Sequence, residues 1–136
     1  DFAGMDMPIF ALKELNVSIP FSQAFCAESN AEAMAFCQNN HNASHHYNDV
    51  RTRPTYWPHL TIFVAGPPCQ PWSACGAKQG LSDERSTLFN ASIVFIEQAW
   101  PRTFVLENSA RLITFQEGAW LSGVISRLQQ AGPGYH

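Results

Sequence analysis

The chain has 136 residues, the size of one domain, and its 46% hydrophobic and 14% charged content excludes a disordered polypeptide. Its 8 Lys and Arg face 11 Asp and Glu, a formal charge of −3, which excludes the broad basic face of a strong nucleic-acid binder. No run nears the roughly 18 apolar residues of a membrane helix and no secretory leader is evident, so an intracellular chain is expected.

Strands and helices alternate along the chain. Asp6-Met7-Pro8 reads as a helix start, because Asp can cap and Pro is tolerated in the first turn; that helix runs to Leu15. Phe21 to Ala27 reads as a strand, and Asn30 as the cap of a helix through Gln38. Residues 39–58 are polar and rich in His and Asn, a long connection. Leu60 to Ala65 is a buried strand, and residues 70–85, with Gly76 and Gly80, an irregular loop. Phe89, Ile93, Ile96 and Trp100 recur at helical spacing, and Pro101 stops the helix they share. RTFVL (102–106) is a further buried strand. Leu121, Val124, Ile125 and Leu128 form the stripe of a last helix closed by Gly132. Repeated β-then-α order predicts an α/β, Rossmann-like fold: a mainly parallel sheet with helices on both faces, in one domain over 1–136. Both ends read as cut, with the first strand shortened before Asp1, so a partial domain is expected.

In such a sheet the loops after the strands share one edge, where ligands bind. Those loops carry Asp1–Asp6, Glu28, Cys69 and Glu107-Asn108. Cys69 stands in AGPPCQPWSACG, a proline-walled loop directly after LTIFVAG, which suits a nucleophile better than a packing residue. Cys26, Cys37 and Cys75 read as inert thiols, since no C-x-x-C pair is present. His41, His45 and His46 in HNASHH lack a matching carboxylate or thiolate at ligand spacing, and no metal is expected. Gly4 permits close backbone approach of a ligand, and Glu28 lies 24 residues later, where Rossmann-like folds place the acid that binds ribose hydroxyls. The phosphate-cradling G-x-G-x-x-G is absent, so a nucleoside cofactor without phosphates, S-adenosylmethionine, fits better than a dinucleotide. Asp49 in YNDV is placed to accept from an adenine amino group. The competing structural readings are a solvated strand end for Glu28 and a turn residue for Asp49.

FAGM (2–5), PPCQPWS (67–73), DERSTLF (83–89) and FVLENSARL (104–112) occur in an order that resembles the cytosine-5 DNA methyltransferases, across nearly the whole chain. The resemblance implies Cys69 as nucleophile and Glu107 as the acid of the Glu-Asn motif. It implies cofactor contacts from Phe2, Ala3, Gly4, Met5, Glu28, Ser29, Asp49, Val50, Pro68 and Leu88. Ser73, Lys78, Arg85 and Asn108 are the implied substrate-side residues, with Asn108 bracing the Pro-Cys loop and Lys78 and Arg85 meeting phosphates. The implied reaction moves a methyl group from S-adenosylmethionine to C5 of a cytosine flipped out of DNA, through a covalent adduct of Cys69 at C6.

The sequence departs from the family at three places. Asp6 stands at the second glycine of the cofactor loop, where it either crowds the cofactor or caps the helix. Ser86 replaces a glycine, and the target-recognition region and carboxyl-terminal motifs are absent from these residues. The 136 residues by themselves are therefore expected to turn over little or not at all. The alternatives are a catalytically inactive remnant that binds cofactor or a partner, and a tRNA-directed member of the same family. The oligomeric state and the target sequence are not encoded in any motif.

Overall fold

A computed structural model describes residues 1–15, 20–69, 86–132 and 135. They divide into two compact units, Asp1–Arg53 and Pro54–His136.

In the first unit, α1 (Met7–Glu14) is followed by β1 (Phe25–Ala27), α2 (Ala31–Asn40) and β2 (His45–Tyr47). β1 and β2 pair in parallel, with Phe25 opposite His45 and Ala27 opposite Tyr47. A parallel pair needs a crossover, and α2 supplies it. Asn30 caps α2 through its side chain, which accepts from the Ala33 N–H at 2.9 Å. Met34 and Cys37, one turn apart, are its buried residues. Asp6 precedes α1 but does not cap it with its side chain. Its carboxylate is buried and accepts from the Gln23 amide, so the capping expectation is corrected.

The second unit contains β3 (Ile62–Ala65), α3 (Ser86–Ala99), β4 (Thr103–Leu106), the short α4 (Arg111–Thr114), a 3-10 turn (Phe115–Gly118) and α5 (Ala119–Gln130). β3 and β4 are parallel neighbours, Ile62 opposite Thr103 and Ala65 opposite Leu106. Phe89, Ile93, Phe95 and Ile96 of α3 are fully buried, and Phe95 meets Phe63 of β3 at 4.7 Å between ring centres. Trp100 does not extend that stripe. The restriction that Pro101 places on the residue before it ends α3 at Ala99, and Trp100 turns to φ 46° with 55% of its surface exposed. Phe89 also packs edge-on against Trp120 at 4.8 Å.

The strands are parallel as expected, and among the described residues they form one two-stranded sheet in each unit; three expectations about single strands are corrected. The strand expected over 21–27 is confined to 25–27. β2 lies inside what read as a connection. β4 is only half buried, with Val105 54% exposed.

Candidate active site

The ladder between β3 and β4 places two chemistry-bearing segments at one edge. Glu107 is the first residue beyond β4, and its N–H donates to the Ala65 carbonyl at 2.9 Å, extending the pairing by one step. Gly66 follows Ala65, and a Cβ added there would lie 3.5 Å from Glu107 Oε2. The carboxylate therefore rests over the backbone that leads to the Pro-Cys turn. Asn108 Nδ2 donates to the Pro67 carbonyl at 3.0 Å, and its Oδ1 accepts from the Ser109 N–H at 2.9 Å. Both ends of the amide are thus occupied, one of them by the turn before Cys69. Pro67 is buried, Pro68 and Cys69 are half-buried, and Glu107 is exposed. Cys69 is a free thiol, and Leu88, in the first turn of α3, is half-buried. Ser73, Cys75, Lys78 and Arg85 lie outside the described residues.

The first unit holds the loop 2–6. Phe2, Gly4 and Asp6 all have left-handed backbones, with φ of 55°, 53° and 53°. A left-handed residue other than glycine costs about 1–2 kcal/mol, so Phe2 and Asp6 persist only because their surroundings over-determine them. The fastenings are visible. Ala3 N–H donates to Ala27 O at 3.1 Å and Asp6 N–H to Ala3 O at 2.6 Å. Glu28 is the centre of the arrangement: Oε2 accepts from Gly4 N–H and Oε1 from Asn30 N–H, both at 2.8 Å. A Cβ on Gly4 would meet nothing within 4 Å, so there is open space beside the loop. Glu28 N–H donates to Tyr47 O at 3.0 Å, which fixes the end of β1 against that of β2. Ser29 is exposed, Val50 is buried, and Phe2, Ala3 and Gly4 are half-buried beside an exposed Met5.

Asp49 is held by its neighbour. Oδ1 accepts from the Arg51 N–H at 2.8 Å, and Oδ2 from the guanidinium at 2.7 Å. These bonds hold its carboxyl below the usual aspartate value of 3.8.

Three histidines and two thiols remain in the first unit. His41 is buried edge-on to Phe10 at 4.7 Å, whereas His45 stacks on Tyr47 at 6.3 Å. Among the described residues, the group able to hold a metal is instead Asp6, Cys26 and Cys37. Burial pushes the Cys26 thiol up to about 12 and raises that of Cys37, so both are thiols rather than thiolates at neutral pH. No spacing in the sequence signals this cluster, because its members come from three separate elements. Gly66 was also missed; its signal was the AG that ends the strand before the prolines.

The family model for C-5 cytosine-specific DNA methylases matches residues 2–136. The chain belongs to that family. Among its relatives is the type II methyltransferase M.NlaX of Neisseria lactamica, 35% identical over 109 residues, which are 79% of this chain and 35% of that protein. M.BanI of Aneurinibacillus aneurinilyticus is 39% identical over 80 residues, 59% of this chain and 19% of the relative. M.NgoBI of Neisseria gonorrhoeae is 38% identical over 79 residues, 58% and 25% respectively. This C-5 cytosine methylase chain thus spans about a fifth to a third of the length of these relatives. None of its described helices is long and apolar enough to cross a membrane.

Proposed function

We propose that these residues form part of a Rossmann-like catalytic domain, one that methylates C5 of cytosine in DNA with Cys69 as covalent nucleophile and S-adenosylmethionine as cofactor. The reading is carried by one observation above the others: Cys69 and Glu107 follow adjacent parallel strands, and Asn108 ties the two segments together through Pro67.

The residues of the first unit fit the cofactor. An ionised carboxylate has about four acceptor positions, and the two backbone N–H groups use two of those on Glu28. The rest are of the kind that ribose hydroxyls need. Gly4, with open space at its Cα, permits a ligand to lie against the backbone. Phe2, Ala3, Met5, Ser29 and Val50 complete the proposed set in this unit, with Asp49 as acceptor for the adenine amino group. Pro68 and Leu88 are carried into the proposal as cofactor contacts on the family likeness alone. Bound S-adenosylmethionine supplies an electrophilic methyl group.

The chemistry of the chain's own groups follows from the substrate. C5 of cytosine is a weak nucleophile until C6 is saturated. The Cys69 thiolate forms an S–C6 bond, and the ring electron pair moves to C5, giving it enamine character. A proton shared between the Glu107 carboxyl group and N3 stabilises the negative charge that develops in the ring. Once C5 carries the methyl group, loss of its proton to a base returns the electron pair to C5–C6. The S–C6 bond breaks, and Cys69 leaves as thiolate. Asn108 positions the turn that carries the sulfur. A stacked base offers no access to C6, so the target nucleotide must be extruded. Ser73, Lys78 and Arg85 are proposed to hold the surrounding nucleic acid.

The test is product analysis. The longest polypeptide carrying this sequence is incubated with DNA and methyl-labelled cofactor, and the nucleosides are separated. Label in 5-methylcytosine supports the reading; label confined to other positions, or to tRNA when both substrates are offered, overturns it.

A further inference from the structure

We infer that Asp6, Cys26 and Cys37 form a binding site for a thiophilic divalent cation of the zinc class, set directly beneath the loop 2–5. The three side chains come from the turn before α1, from β1 and from α2, and all three residues are buried. One ligand atom from each lies within 4.8 Å of the others. Tetrahedral zinc, with Zn–S of about 2.3 Å, separates two thiolate sulfurs by about 3.8 Å, a spacing inside the 4.8 Å limit within which these ligand atoms lie. Two sulfurs and one carboxylate select zinc-like ions over magnesium or calcium, which take oxygen ligands.

A second observation points the same way. Gln23 donates through Nε2 to Asp6 Oδ2, and its own Oε1 is buried without a hydrogen-bond partner. A buried carbonyl oxygen left unpaired carries an uncompensated desolvation penalty, which a cation beside the neighbouring carboxylate would offset. Asp6 itself has a left-handed backbone that glycine adopts without strain, yet an aspartate is kept there with its carboxylate turned into the interior.

The site is wired to the loop above it. Cys37 Sγ contacts the Gly4 carbonyl at 3.3 Å, and Asp6 N–H bonds Ala3 O at 2.6 Å. Binding exchanges each S–H bond for an S–metal bond, with the protons passing to solvent, and removes the Cys37 donor from the Gly4 carbonyl. A bound cation therefore shifts the loop and alters whatever that loop holds.

Cobalt(II) is the probe, added to the whole chain under argon with a phosphine reductant. A thiolate-to-cobalt charge-transfer band saturating at one equivalent is expected. Cys26→Ser and Cys37→Ser should each abolish it, while Cys75→Ser leaves it unchanged. Asp6→Gly, which suits φ 53°, should weaken binding at least tenfold with the circular dichroism retained. No band in the parent chain, or a band of equal strength in the Cys26→Ser/Cys37→Ser double variant, overturns the inference. If the serine variants do not fold, unchanged affinity in Asp6→Gly overturns it and the tenfold loss sustains it. The readout is independent of methyl transfer, so its failure leaves the proposed catalytic reading intact.

Discussion

Asn108 Nδ2 donates to the Pro67 carbonyl at 3.0 Å, so the residue after Glu107 holds the turn that leads into Cys69. Asn108→Asp keeps the size but replaces the donor with an acceptor facing a carbonyl. We expect a stability loss of about 1 kcal/mol, typical for one such bond. Misplacement of the sulfur should cost about 100-fold in kcat/KM, with KM for cofactor little changed. A thermal melt and steady-state kinetics on the same preparation separate the two effects.

Glu28 is the corresponding fastening in the first unit. Glu28→Gln can still accept from Gly4 N–H, but its NH2 then faces the Asn30 N–H that Oε1 now accepts. The affinity for S-adenosylmethionine should fall about tenfold or more, the scale of one charge-assisted hydrogen bond. Calorimetric titration measures it. An unchanged affinity would remove Glu28 from the cofactor site.

The Asp49–Arg51 pair makes a pH prediction. The folded carboxyl lies below 3.8 because of the Arg51 bonds, so its contribution to stability is present above that value and is lost as the pH falls through the folded one. The pair is partly exposed, so the whole effect stays under about 1 kcal/mol. In Arg51→Ala, the Asp49 carboxyl should titrate closer to 3.8, followed by carbon-detected NMR.

Gly132 lies under Trp100. Its φ is 52°, and a Cβ there would sit 2.6 Å from the indole. Gly132→Ala should destabilise the chain by about 2 kcal/mol or more, through backbone strain and overpacking together. Adding Trp100→Ala should recover part of that loss, and a double-mutant cycle of melting curves reads the coupling.

Much of this was legible in the residues. The period of Phe89, Ile93 and Ile96 marked α3, and Asn30 marked the start of α2, because helix signals are local. β2 was not legible. His-His-Tyr has no apolar alternation, and it is a strand only because β1 lies beside it, a tertiary cause that overrides local pattern. The left-handed Gln116 and Glu117, which kink the chain before α5, carry no glycine to announce them. The pairing of Asn108 with Pro67 was accessible through family likeness, whereas the gathering of Asp6, Cys26 and Cys37 was not, since residues so far apart meet only after β1 and α2 have packed.

The most direct measurement is covalent trapping on DNA carrying 5-fluorocytosine, where fluorine at C5 blocks the final elimination. With S-adenosylmethionine present, the longest polypeptide containing this sequence should give a denaturant-stable protein–DNA species that maps to the peptide bearing Cys69 and vanishes in Cys69→Ser. A species of undiminished yield in that variant, or one mapping to another residue, would contradict the assignment of the nucleophile.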